Sequence, residues 1–174
     1  MPTYISMLRG INVSGQKSIK MEKLKELYES LKFNDIKTYI QSGNVMFECK
    51  DSDYKSLEKK IENKIKEKIG FDVVIFIRTR NELKKVIENN PFKEDERIYV
   101  TFLSSVPSKI PIDEINKAKG KSEKYFISSR EIYFSCPNGY GKTKLSNNFF
   151  ENKLKVTATT RNWNTVKVLS GIIN

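Results

Sequence analysis

The hydrophobic positions along this chain keep changing period, and each change marks a new element. Thr3 to Arg9 is a short apolar-rich run, and a loop with Gly10, Asn12, Ser14 and Gly15 follows it. Met21, Leu24, Leu27, Tyr28 and Leu31 then recur at helical spacing. The pattern predicts strand, loop and helix, with Ser18 as the N-cap, its hydroxyl accepting an otherwise unpaired amide. Ile36 to Gln41 and Val45 to Glu48 read as two strands joined through Ser42-Gly43-Asn44, whose Gly and Asn tolerate the positive φ of a tight turn. Leu57, Ile61, Ile65 and Ile69 form one stripe of a second helix, and Gly70 stands where a C-cap belongs. Phe71 to Ile77 is almost wholly apolar, as expected of a strand buried on both faces. Thr79-Arg80-Asn81-Glu82 has the spacing of a capping box and opens a third helix that stops before Pro91.

The first half therefore reads β-α-β-β-α-β and then α, the ferredoxin-like order with an added helix. The second half repeats it. Ile98 to Leu103 is a strand, Ile112 to Ala118 a short helix, Lys124 to Ile127 and Glu131 to Ser135 a hairpin, and Leu145 to Leu154 a helix. Val156 to Ala158 supplies a last short strand, and a final helix runs from about Arg161 to Ile172. Thr79-Arg80-Asn81 and Thr160-Arg161-Asn162 stand after the last strand of their halves, so Thr79 and Thr160 are expected at equivalent helix starts. The expected fold is α+β, a tandem duplication of two ferredoxin-like halves, 1–92 and 93–174, each followed by an extra helix and packed as one unit.

Composition narrows what such a fold can do. At 174 residues and 38% hydrophobic the chain can bury a proper core. Its longest apolar run, Val73 to Ile77, is far short of the roughly 20 residues a membrane helix requires. The N-terminus has no basic leader or cleavage site, so the expected location is cytoplasmic. Two isolated cysteines, Cys49 and Cys136, make neither a disulfide framework nor a metal site. Histidine is absent, which removes the commonest general base, metal ligand and partner of a nucleophile. No cofactor or metal is expected. A net charge of +11 favours polyanionic partners, although Lys on amphipathic helices interleaved with Glu also forms ordinary solvated faces.

Four polar segments depart from helix-surface chemistry. They are Arg9 to Gly15, Gln41 to Asn44, Asn138 to Lys144 and Thr159 to Asn164. On Arg9-Gly10-Ile11-Asn12-Val13-Ser14-Gly15, Tyr39 to Val45, Gly139-Tyr140-Gly141-Lys142-Thr143-Lys144-Leu145 and Thr159 to Thr165, the chain resembles the bacterial family known as domain of unknown function 1697 almost end to end. It departs only at Ser14, where Gly is common, and at Thr143, where Ser is expected. That resemblance implies relatedness and no particular activity.

The segments offer donors, one stackable ring and no carboxylate. Arg binds phosphate bidentately, and glycine-rich helix starts present free amides to anions, so the composition suits anion recognition more than proton transfer. The candidate anion-binding residues are Arg9, Asn12, Gln41, Ser42, Asn44, Lys142, Lys144, Arg161, Asn162 and Trp163, expected to form one site. The Gly139 to Thr143 loop lacks the first glycine of a nucleotide-hydrolysing loop, since Cys136 stands there. Trp163 shares a helical stripe with Val166, Leu169 and Ile173, which also fits core packing. Three functions stay open: a non-catalytic module for nucleic acid or a phosphate-bearing small molecule, an enzyme acting on a small phosphorylated or acidic metabolite, and a protein-interaction module without a ligand.

Overall fold

A strand that is apolar on both sides belongs at the centre of a sheet, and β1 (Thr3–Leu8) is buried along almost its whole length. In the computed structural model, which describes residues 1–40, 42–95 and 97–171, β1 lies between β3 (Asn44–Glu48) and β4 (Ile75–Thr79). With β2 (Asn34–Tyr39) outside β3, the first sheet has the order β2-β3-β1-β4, antiparallel throughout. Helices α1 (Met21–Ser30) and α2 (Tyr54–Ile69) complete the ferredoxin-like order. Leu24, Leu27 and Tyr28 of α1 and Leu57, Ile61 and Ile65 of α2 pack on Tyr4, Leu8, Val45, Phe47, Ile75 and Ile77 of the sheet. Truncating any one of these large side chains to Ala should cost about 2–5 kcal/mol.

The second sheet repeats the order as β6-β7-β5-β8, from β5 (Ile98–Leu103), β6 (Lys124–Ser128), β7 (Glu131–Ser135) and β8 (Ala158–Asn162). Ile115 of α4 (Ile112–Ala118) and Phe150 and Leu154 of α5 (Asn147–Leu154) pack on Leu103, Ile132 and Phe134. Each set is followed by an extra helix, α3 (Arg80–Glu88) and α6 (Trp163–Ser170). The chain divides into two compact units, Met1–Leu83 and Lys84–Asn174, with the division inside α3. No helix among the described residues is long and apolar enough to cross a membrane.

Local chemistry explains the helix ends. The capping box at α3 forms: the Glu82 amide donates to Thr79 Oγ1 (3.2 Å), and the Thr79 amide donates to Glu82 Oε2 (2.7 Å). Gly70 closes α2 in the left-handed conformation. Ser18 is not a cap, because α1 begins later, at Met21, and its N-cap Lys20 makes no side-chain bond.

The two halves match in a different register from the one Thr-Arg-Asn suggests. Tyr4 lies opposite Phe47 and Thr79, and Tyr99 lies opposite Phe134 and Asn162. The counterpart of Thr79 is therefore Asn162, whose side chain accepts the Thr165 amide (2.8 Å) and caps α6. Thr160 sits inside β8 and corresponds to Ile77. Its hydroxyl donates to Asn147 Oδ1 (2.9 Å) and lies 2.8 Å from the Thr101 hydroxyl, so it caps nothing. The last strand is Ala158–Asn162, and α6 opens at Trp163, two residues after Arg161. Arg161 instead matches Arg78, each lying opposite the residue after the tyrosine.

Candidate functional site

In the first unit the segments Arg9–Gly15 and Gln41–Asn44 meet at the C-terminal end of β1. The Leu8 amide donates to the Gly43 carbonyl (2.8 Å). Gly43 has φ +82°, and a β-carbon there would stand 2.5 Å from Ile11 Cδ1, so only glycine lets the two segments close. The polar side chains serve this closure. Asn12 Nδ2 donates to the Ile19 carbonyl (3.0 Å), and Asn12 Oδ1 accepts the Ile19 amide (2.8 Å). Asn44, fully buried, donates to the Tyr39 carbonyl and to Ser42 Oγ. Arg9 is half-buried beside them, and its amide donates to the Val74 carbonyl (3.0 Å). Gln41 lies outside the described residues. Three non-glycine residues of the loop, Asn12, Ser14 and Lys17, hold positive φ, a cost that the Asn12 bonds offset.

In the second unit the other two segments gather around Tyr99, at the opposite end of the equivalent strand. Tyr99 pairs with Asn162 across β5 and β8, and its ring lies 5.6 Å from Phe134 and 5.1 Å from Tyr140. Tyr140 opens a single 3-10 turn, Tyr140–Lys142, and its hydroxyl accepts the Asn147 amide at the start of α5 (2.9 Å). Lys142 and Lys144 extend from this anchored loop into solvent. Trp163 is half-buried in the first turn of α6, while Val166 and Leu169 of its stripe are buried.

The structure adds a cation that sequence reasoning missed. Exposed Arg97 donates from Nη1 to the Pro137 carbonyl (3.1 Å) and lies against Gly139. Among the described residues, no ion pair engages Arg97, Lys142 or Lys144. A lone arginine just before a strand carries no periodic signal, and the contact of the Tyr99 and Tyr140 rings is made only by the tertiary fold.

Much of the loop's backbone is already bonded. The amides of Gly139, Lys142, Thr143, Leu145 and Asn147 are all spent on Cys136, Gly139 and Tyr140 carbonyls, Thr143 Oγ1 and the Tyr140 hydroxyl. Its charged groups are the exposed side chains of Lys142 and Lys144. Behind it Cys136 is buried, and that burial pushes its thiol up to about 11, which disfavours the reactive thiolate. Arg161 is 7% exposed and faces inward, its Nη1 donating to Thr159 Oγ1 (2.7 Å) and the Thr160 carbonyl (3.0 Å). Burial lowers its pKa to about 10, which still leaves it charged at neutral pH. Asn162 is committed as the α6 cap. Among the described residues, no group of three or more His, Cys, Asp or Glu could hold a metal ion.

Residues 1–133 match the family described as protein of unknown function (DUF1697). The chain belongs to that family. The Gly139 and Thr159 segments lie beyond the matched residues. No curated protein matches the sequence. A solved structure titled as conserved bacterial protein SP0830 from Streptococcus pneumoniae is similar over 99% of both chains, with a TM-score of 0.73 and 21% identity. That likeness shows the same fold in a solved structure and carries no activity with it.

Proposed function

We propose that this member of the family is a non-catalytic binding module whose second unit takes a phosphate-bearing strand, single-stranded nucleic acid being the best fit. The observation that carries this reading is the grouping of Arg97, Lys142 and Lys144 around a loop anchored by contact of the Tyr99 and Tyr140 rings, with no carboxylate between Asn138 and Lys144. Cations that follow a phosphate backbone, beside aromatic rings, are the elements of sequence-tolerant single-strand binding. The charge distribution agrees: the second unit holds 16 basic against 9 acidic residues, and the first 16 against 12. Proton transfer or thiol attack lacks a group to use here, since the loop carries no carboxylate and Cys136 is buried with its pKa raised.

Fluorescence anisotropy of a labelled single-stranded oligonucleotide tests the reading, starting at about 50 mM salt. Lys142→Ala/Lys144→Ala should flatten the log affinity against log salt slope by about 1.4, since each lost phosphate contact removes about 0.7. Lys23→Ala/Lys25→Ala removes the same charge from α1 and should leave the slope nearly unchanged. Equal changes in the two double variants would mean that total charge alone binds the strand.

A further inference from the structure

Each sheet ends in two edge strands, and an edge strand offers unpaired amides and carbonyls to any passing strand unless something blunts it. Three of the four edges carry identifiable blocks. Along β4 the alternate amides of Ile75, Ile77 and Thr79 donate to the carboxylates of Glu62 (3.0 Å), Glu58 (3.2 Å) and Glu82 (2.7 Å). On β8 the Ala158 amide donates to Glu151 Oε2 (2.9 Å), and the Ala158 carbonyl accepts from Asn147 Nδ2 (2.9 Å). β2 is broken by a register shift between Asn34 and Lys37, with Asp35 at φ 45° and a Lys37–Asp35 ion pair.

β6 has none of these devices. Its five residues pair with β7 in unbroken register, and among the described residues no side chain hydrogen-bonds its backbone. Its middle residue, Phe126, is 48% exposed. Beside it a groove of about 530 Å³ runs between α4 and the strand, and exposed Ile110 and Ile112 line it. Three exposed large apolar side chains at an unblocked edge mark an interaction surface.

We propose that β6 pairs with β6 of a second copy of this chain, antiparallel about a twofold axis through Phe126. Charge decides between occupants. The only ionic residue of the strand, Lys124, is already paired with Asp95 (3.2 Å), so the strand itself offers an acidic partner no unpaired charge. The strand Lys124-Tyr-Phe-Ile-Ser128 is itself a neutral, apolar match. Antiparallel twofold pairing sets Phe126 against the second copy's Phe126, Tyr125 against Ile127, and Lys124 against Ser128. Each pair shares a face of the sheet, and aromatic and β-branched cross-strand pairs are the favourable ones. Parallel in-register pairing would instead set lysine against lysine. The resulting contact is isologous and closes at two copies. Because both copies are strongly basic, salt should strengthen this association by screening their repulsion, whereas it weakens binding to a polyanion.

Sedimentation of the full chain over about 10 to 500 μM, at about 0.1 M and about 1 M salt, should show a monomer–dimer equilibrium that tightens with salt. Phe126→Lys, which sets two lysines against each other on the axis, should be monomeric throughout while keeping its circular dichroism spectrum. Phe126→Cys should form a covalent dimer on mild oxidation, since directly opposed β-carbons, about 4.5–5.5 Å apart, need close by only about 1 Å to reach disulfide geometry. Val106→Cys, more exposed and outside the strand, should not. A wild type that stays monomeric at every concentration overturns the proposal and leaves the edge to an extended segment of another protein. A dimer that survives Phe126→Lys, or cross-links equally at Val106→Cys, places the contact elsewhere and overturns it too.

Discussion

The two units carry one fold, yet they repeat only part of their sequence, and the part they repeat differs in kind from the part they do not. Tyr4 and Tyr99, Leu8 and Leu103, Phe47 and Phe134, and Arg78 and Arg161 occupy equivalent places in the two sheets, and Cys49 and Cys136 each directly follow the strand that carries the matched phenylalanine. All but half-buried Tyr99 are buried. The two arginines share even their bonding, each donating from Nη1 to the carbonyl of the residue before it. Arg97, Lys142, Lys144 and Trp163 belong to no such pair and reach solvent to some degree. Repeated positions thus hold the sheets, and on the proposed reading the unrepeated, solvent-reaching ones meet the ligand.

The hardest test of that division is at the arginines. Arg78→Ala and Arg161→Ala should each cost about 2–5 kcal/mol, as truncation of a large buried side chain does, while Lys142→Ala and Lys144→Ala stay within about 0.5 kcal/mol. Urea denaturation read by circular dichroism separates the two classes. An Arg161→Ala protein as stable as wild type would return Arg161 to the ligand-binding set and break the comparison.

A smaller effect sharpens the register. Thr79→Ala and Asn162→Ala should each cost about 1 kcal/mol as lost N-caps, and Asn162→Ala should speed hydrogen exchange at the Thr165 amide. Thr160→Ala should leave that amide protected, because Thr160 bonds Thr101 and Asn147 rather than a helix start. Exchange at Thr165 that answers to Thr160 instead of Asn162 would show the halves aligned as Thr-Arg-Asn suggests.

Much of the fold was legible in the sequence because its signals are local. The Thr79–Glu82 box, the Gly70 cap and the helical stripes of α1 and α2 each follow from residues within a turn or two of one another. β8 was placed too early because Ala158-Thr-Thr-Arg-Asn162 is a polar edge strand without the alternation that betrays a half-buried one. The Thr-Arg-Asn match misled for the same reason, since it is short and polar. A better signal lay in Tyr4-Ile-Ser-Met-Leu8 beside Tyr99-Val-Thr-Phe-Leu103, where pattern and residue class repeat together. Asn12, Asn44, Arg161 and Asn162 looked like ligand donors because a sequence shows a polar group without its partner. The fold supplies those partners from positions as far along the chain as Ile19 is from Asn12 or as near as Thr159 is to Arg161. Arg97 was invisible because its place against Pro137 depends on β5 and β7 being neighbours.

The central claim is that unrepeated surface residues of the second unit, rather than the repeated ones, meet a polyanion. Its most direct test is an amide chemical-shift map of the full chain titrated with a short single-stranded oligonucleotide. The shifts should concentrate at Arg97, at residues 138–144 and at 162–164, and should leave the Asn12–Ile19 loop and the β6 edge unmoved. Shifts spread evenly over the lysines of α1 and α2, or centred on the Arg9 loop, would contradict the account.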